Sequence, residues 1–191
     1  MMEFAIIRHG ETDWNAVGRM QGQRDIPLNA NGLRQAEQIA ERLREQRWDA
    51  IYSSDLLRAA ATAERIAERL GIDRIVRDVR LRERSFGRIE GTTLADRIQR
   101  YGEGWMEREL GVESDERLSA RALEALEEAM RSHPQGRIII VSHGGWTMQL
   151  MERLFPGQYS DKPGNTALSC LRFTEQGWQC PLYNCTAHIR A

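Results

Sequence analysis

The chain has 191 residues, 41% hydrophobic and 29% charged, with a formal net charge of −1. This is the balance of an ordinary globular protein, long enough to bury roughly 70% of its unfolded surface without disulfide staples, so a single domain over residues 1–191 is expected. The near-neutral charge excludes a polybasic nucleic-acid surface, and the absence of any run of about 18 apolar residues argues against a membrane span.

In chain order, the short apolar run Phe4 to Ile7 ahead of Gly10 predicts a buried strand. With no basic residue before it, the run is too short for the core of a signal peptide. Asn31 to Arg44 carries Leu33, Ala36, Ile39, Ala40 and Leu43 at helical spacing. Ala50 to Ser53 predicts a second strand. Ser54 is the expected N-cap of a helix over Asp55 to Leu70, which Gly71 ends. A minor strand is expected at Ile75 to Arg77. Gly87 to Gly111 is glycine-interrupted and weakly periodic, so loop with short helices is expected. Ser114 to Met130 reads as a helix, and Ile138-Ile139-Ile140-Val141 is the strongest strand signal in the chain. A helix follows from Gly145 to Leu154, then two strands, Leu168 to Thr174 and Trp178 to Asn184, joined across Gln176-Gly177.

Strands alternating with helices imply an α/β fold, a three-layer α/β/α sandwich with a mostly parallel central sheet of Rossmann-like character. Cys170, Cys180 and Cys185 fall late in the chain. Their odd number points to reduced thiols and a cytoplasmic location. Cys180, Cys185 and His188 match no common zinc spacing, so strand packing is expected there and no metal. Of the 27 basic residues only Lys162 is a lysine, a bias that reads as genome composition.

In open α/β sheets ligands bind beyond the carboxyl ends of the strands. Two histidines fall there, His9 in Arg8-His9-Gly10-Glu11-Thr12 and His143 in Ser142-His143-Gly144-Gly145. Glycine after each allows a tight turn and a close approach by a ligand. Gly144-Gly145 also opens a helix, whose free N–H groups favour an anion. A neutral histidine is a competent nucleophile near pH 7. Attack on phosphorus also needs cations around the equatorial oxygens. Arg8 is adjacent to His9, and Arg58 lies one turn into the helix after the second strand. On position alone, Arg58 reads first as a solvated surface residue.

Arg8-His9-Gly10-Glu11-Thr12 with Trp14-Asn15 resembles the signature of the histidine phosphatase superfamily, in its phosphoglycerate mutase-like branch. Four further blocks resemble that branch in order. They are Gln21-Gly22 through Pro27-Leu28, Tyr52 to Ala63 around Arg58, Leu81 to Gly91 around Glu83, and Val141 to Gly145. The resemblance implies that His9 is the phosphorylated nucleophile. It makes Arg8, Arg58 and His143 the holders of the phosphoryl oxygens and Glu83 the proton donor. It also places Asn15, Gln21, Gly22 and Gly144 around the phosphate, with no metal. The implied ligand is a small phosphorylated metabolite, bound by a monomer or homodimer that engages neither nucleic acid nor membrane.

If water takes the phosphoryl group, the protein is a phosphatase. If a phosphoglycerate takes it, the protein is a mutase that needs a 2,3-bisphosphoglycerate primer. The compact stretch Gly91 to Glu113, whose Arg97, Arg100 and Arg108 are not adjacent, favours the phosphatase. Glu83-Arg84 with Phe86-Gly87 is nearer the mutase form. A non-catalytic phosphate-binding module ranks last, because His9, Arg8, Arg58, Glu83 and His143 are all kept. Gly111-Val112-Glu113-Ser114 departs from the family's double-glycine turn and leaves the placement of Glu113 and Ser114 open. Trp14, Phe86, Tyr101 and Trp105 are candidates for the pocket mouth, with Tyr101 and Trp105 equally readable as core beneath a loop.

Overall fold

A computed structural model describes residues 1–190. Its centre is a six-stranded sheet, built from β1 (Met2–Arg8), β2 (Ala50–Ser53), β3 (Ile75–Arg77), β4 (Arg137–Ser142), β5 (Leu168–Thr174) and β6 (Gly177–Cys185). The spatial order is β3-β2-β4-β1-β5-β6. The first four in that order run parallel, while β5 lies antiparallel to β1 and to β6.

Six helices surround the sheet: α1 (Asp13–Ala16), α2 (Ala30–Leu43), α3 (Leu57–Leu70), α4 (Leu94–Tyr101), α5 (Asp115–Ser132) and α6 (Gly144–Leu154). The pleat sends successive strand residues to opposite faces. Phe4, Ile6, Tyr52, Ile138 and Ile140 pack with Leu118, Leu126, Trp146 and Leu150 of α5 and α6. Ala5, Ile7, Ile51, Ile139 and Val141 pack with Ile39, Leu43, Ala63 and Ile66 of α2 and α3. A strand buried on both faces needs apolar residues at every position, and the Ile138–Val141 run supplies them.

β1 and β4 are neighbours, yet the helices that follow them, α2 and α6, cover opposite faces. This is the topological switch point, where an open α/β sheet leaves a crevice at its carboxyl edge. The register aligns Arg8 with Ser142, so His9 and His143 leave the sheet side by side.

Two local expectations differ from the structure. Leu33 is 37% exposed. The inward stripe of α2 is instead Gly32, Gln35, Ala36, Ile39, Ala40 and Leu43, a face rotated off Leu33. Ser54 does not cap α3, which begins at Leu57 with Leu56 at the cap position and no side-chain cap bond. Its hydroxyl is used elsewhere, as described next.

Candidate active site

His9 follows β1, and its backbone N–H extends the ladder to Ser142 O at 2.9 Å. The ring is 2% exposed. Nδ1 lies 2.6 Å from the carbonyl oxygen of Gly10. A carbonyl can only accept, so Nδ1 carries the proton and Nε2 keeps its lone pair. Arg58 Nε donates toward that Nε2 at 3.3 Å. Burial first, then the Arg58 and Arg8 guanidiniums, push the His9 pKa well below 6.5. The ring is therefore neutral at physiological pH.

Arg58 is 1% exposed despite its place in the first turn of α3. It is not the surface residue that its helical position alone allowed. Its Nη1 and Nη2 donate to Arg24 O and Gly22 O, each at 2.7 Å. Burial lowers its pKa to about 10, which leaves it cationic. Gly22 is required here: its φ is +53°, and a Cβ would sit 2.0 Å from Glu90 Oε1. Glu90 Oε1 in turn accepts from the N–H groups of Gln23 and Phe86, each at 3.0 Å.

The His143 ring lies 5.1 Å from the His9 ring, centroid to centroid. Ser54 Oγ accepts the Leu56 N–H at 3.3 Å and lies 2.9 Å from His143 Nε2. The hydroxyl can give its own proton to Nε2, which leaves Nδ1 as the protonated nitrogen. Burial, Arg58 and His9 push the His143 pKa well below 6.5. Among the described residues His143 Nδ1 and Arg8 Nε are buried with no hydrogen-bond partner, as is Gln21 Oε1. An orphaned buried donor costs about 1–3 kcal/mol.

Glu83 departs from the expected use of the α6 N-terminus. Its Oε2 accepts from Gly145 N at 3.1 Å, and its Oε1 accepts from Trp146 N at 3.2 Å and Arg84 N at 2.8 Å. The acceptor at this helix start is thus a side-chain carboxyl group of the protein itself. Gly145 makes the approach possible, because a Cβ there would lie 2.5 Å from Glu83 Oε1.

Arg8, His9, Asn15, Gln21, Gly22, Arg58 and Glu83 line one pocket of about 250 Å3. His143 is buried beside it, and Gly144 is buried at the head of α6, where Gly145 lines the pocket. Asn15 Oδ1 is committed to Thr12 and Asn165, so the amide nitrogen is what it can offer a ligand. Phe86 lines the pocket as expected, while Trp14, Tyr101 and Trp105 do not. Trp14 lies beneath Arg19, and Trp105 stacks on the buried Arg97.

Several pocket residues had no signal that singled them out: Arg19, Met20, Arg84, Met148 and Gln149. Lys162, the one lysine among the basic residues, lines the pocket too. Behind the pocket, Arg121 donates to the carbonyls of Arg80, Arg82 and Glu83 and grips the Glu113 carboxylate at 2.8 and 2.9 Å. Glu113 therefore braces the Glu83 segment from outside the pocket.

Among the described residues no group of three or more His, Cys, Asp or Glu side chains is placed to hold a metal ion. Cys185 and His188 both accept from Arg42. No helix among them is long and apolar enough to cross a membrane.

The model of the histidine phosphatase superfamily, branch 1, matches residues 4–186. A Bacillus subtilis protein named uncharacterized phosphatase PhoE is 35% identical, over 99% of this chain and 97% of its own. An Arabidopsis thaliana metal-independent phosphoserine phosphatase is 34% identical, over 98% of this chain and 83% of its own. A probable phosphoglycerate mutase, GpmB, of Salmonella paratyphi A is 42% identical, over 75% of this chain and 70% of its own. Among solved structures, a phosphoserine phosphatase mutant of Entamoeba histolytica in complex with phosphoserine superposes with a TM-score of 0.83 at 27% identity, covering 100% of both chains. The chain belongs to the histidine phosphatase superfamily, branch 1.

Proposed function

We propose that this enzyme hydrolyses small phosphate monoesters through a phosphohistidine on His9. The observation that carries the reading is the fixed tautomer. With Nδ1–H donated to Gly10 O, Nε2 keeps its lone pair, which accepts only the 3.3 Å contact from Arg58 Nε and attacks phosphorus once that donor turns to a phosphoryl oxygen.

In the first step Nε2 bonds to phosphorus and the ester P–O bond breaks. Glu83 gives its proton to the departing oxygen, and Arg8, Arg58 and His143 Nδ1–H receive the charge on the equatorial oxygens. In the second step a water oxygen attacks the phosphohistidine and loses a proton to Glu83. The P–N bond then breaks, and the Nε2 lone pair is restored. Buried cations do here what magnesium does in many phosphoryl-transfer sites, in keeping with the metal-independent name of the Arabidopsis relative. We assign no cofactor. A pocket of about 250 Å3 is below the usual span of about 300–1,000 Å3 for drug-sized ligands, which favours a compact ester.

The 42%-identical mutase-named relative supports one other acceptor, a phosphoglycerate, with a bisphosphoglycerate primer. The test is turnover of phosphate monoesters by wild type and His9→Ala in the presence of EDTA. Wild type is expected to release phosphate steadily. The variant is expected to fold, to lose at least about a thousandfold in kcat, and to take up no phosphoryl label. Near-normal turnover by His9→Ala would overturn the mechanism. Turnover seen only on 3-phosphoglycerate with a primer would make the enzyme a mutase.

A further inference from the structure

In a chain whose other basic residues are all arginine, Lys162 stands in the catalytic pocket. A uniform drift toward arginine gives no reason to spare that position. A compact ammonium and a planar guanidinium are not interchangeable where a side chain meets a ligand.

Each of the pocket's other cations already has a partner within the protein. Arg8 donates to Pro163 O at 2.7 Å, and Arg58 to Gly22 O and Arg24 O. Arg19 donates to Gly91 O and lies 3.6 Å from Asp96. Arg84 pairs with Asp115 at 2.5 Å and donates to Glu113 O at 2.8 Å. Among the described residues the Lys162 ammonium has no acceptor and no acidic partner within bonding distance, although its own backbone carbonyl accepts from Asn184 Nδ2. Partial burial, and then Arg8, lower its pKa, with the Glu83 carboxylate opposing them.

Its place is specific. Lys162 lies over Gly144, where a Cβ would meet its Cε at 3.3 Å, and the next glycine, Gly145, faces Glu83 in the same way. The ammonium and the proton donor thus flank the first turn of α6, on the leaving-group side of the pocket. We infer that Lys162 is a specificity-determining residue, whose ammonium binds a carboxylate carried by the leaving alcohol of the substrate. A pocket of about 250 Å3 takes a phosphoryl group and a compact leaving alcohol, and a carboxylate is the smallest anion such an alcohol can carry to the ammonium.

The inference rests on the phosphatase reading, and its test uses a matched pair of esters. 3-Phosphoglycerate and glycerol phosphate differ in a carboxylate against a hydroxymethyl group. Wild type is expected to prefer 3-phosphoglycerate about 10- to 100-fold in kcat/KM, the worth of one hydrogen bond to a charged group. Lys162→Met keeps the stem over Gly144 and removes the charge. The ratio of the two kcat/KM values should fall toward one, through KM for 3-phosphoglycerate, and Lys162→Arg should restore most of it. No preference in wild type, or an unchanged ratio in Lys162→Met, would overturn the inference. Equal losses on both esters would also overturn it, because the charge would then act through Glu83 or the phosphoryl group. Failure of the phosphatase reading shows separately, as His9→Ala retaining turnover on both esters.

Discussion

Replacing Arg121 with methionine tests the brace behind Glu83, the proposed proton donor. Arg121 and Glu113 side chains are 17% and 10% exposed, and they meet through two hydrogen bonds at 2.8 and 2.9 Å. The same guanidinium holds the carbonyls of Arg80, Arg82 and Glu83 at 2.7, 2.6 and 2.9 Å. Removing one partner of a buried pair leaves the other uncompensated, at a cost of 3–5 kcal/mol for full burial. The residual exposure here puts the expected loss near the low end, about 3 kcal/mol. For a chain of this length that corresponds to a fall in Tm of about 6–12 °C. The freed segment also carries Glu83, so kcat should drop about tenfold or more while the phosphoryl-binding groups on β1 and α3 stay in place. Thermal denaturation and steady-state kinetics read the two effects. Arg121→Met with Tm within about 2 °C of wild type and an unaltered kcat would refute the reasoning. Glu113 provides an internal check. Its burial raises the pKa, but Arg121 and Ser85 N–H outweigh that and leave it lowered. Its contribution is therefore present above pH 4.5 and lost as pH falls through the native value, and this acid-side loss should vanish in Arg121→Met.

Two further outcomes follow from the same geometry. Gly145→Ala would place a Cβ 2.5 Å from Glu83 Oε1, the end of a flexible side chain. The carboxylate should swing away at little cost to Tm while kcat falls about 10- to 100-fold, and unaltered kcat would refute the role assigned to Glu83. His9 and His143 are neutral in the folded state, with pKa values well below 6.5. The unfolded chain takes up those protons first, so stability is full above pH 6.5 and falls below it, by up to about 1.4 kcal/mol per pH unit for each ring. Urea midpoints from pH 7.5 downward measure this, and a flat profile would contradict the buried neutral rings. The half-buried His188, with its pKa lowered to about 4, adds in the same direction.

The strands and helices were legible because each carries its own period. Ala50–Ser53 and Ile75–Arg77 are strands at the expected residues, and α3 still runs to Gly71, whose φ of +67° suits it to end the helix. The helix α2 was legible, but its face was not. Leu33 fits the spacing, yet the helix is rotated so that Gly32 and Gln35 face inward, a choice made by the neighbouring chain near Glu11. His9 and His143 stood out because both follow strands, and the parallel pairing of β1 with β4 turns that into proximity. Arg121 and Lys162 gave no local signal. One is a helix arginine whose partners lie 8 to 41 residues away, and the other a loop lysine brought to the pocket by the return of the chain toward β5. Ser54 fitted a cap in sequence but serves His143, 89 positions on, because β2 ends beside β4.

The switch point between β1 and β4 has a consequence for how this scaffold can diversify. The spacing of the two histidines is set by strand register, and Arg58 is anchored by the backbone carbonyls of Gly22 and Arg24. The rest of the pocket lining, around Met20, Phe86 and Lys162, lies on segments outside the sheet. A lineage can therefore exchange its substrate by altering those segments without retuning the reacting centre. The sheet acts as the inherited instrument, and the loops as its interchangeable mouthpiece.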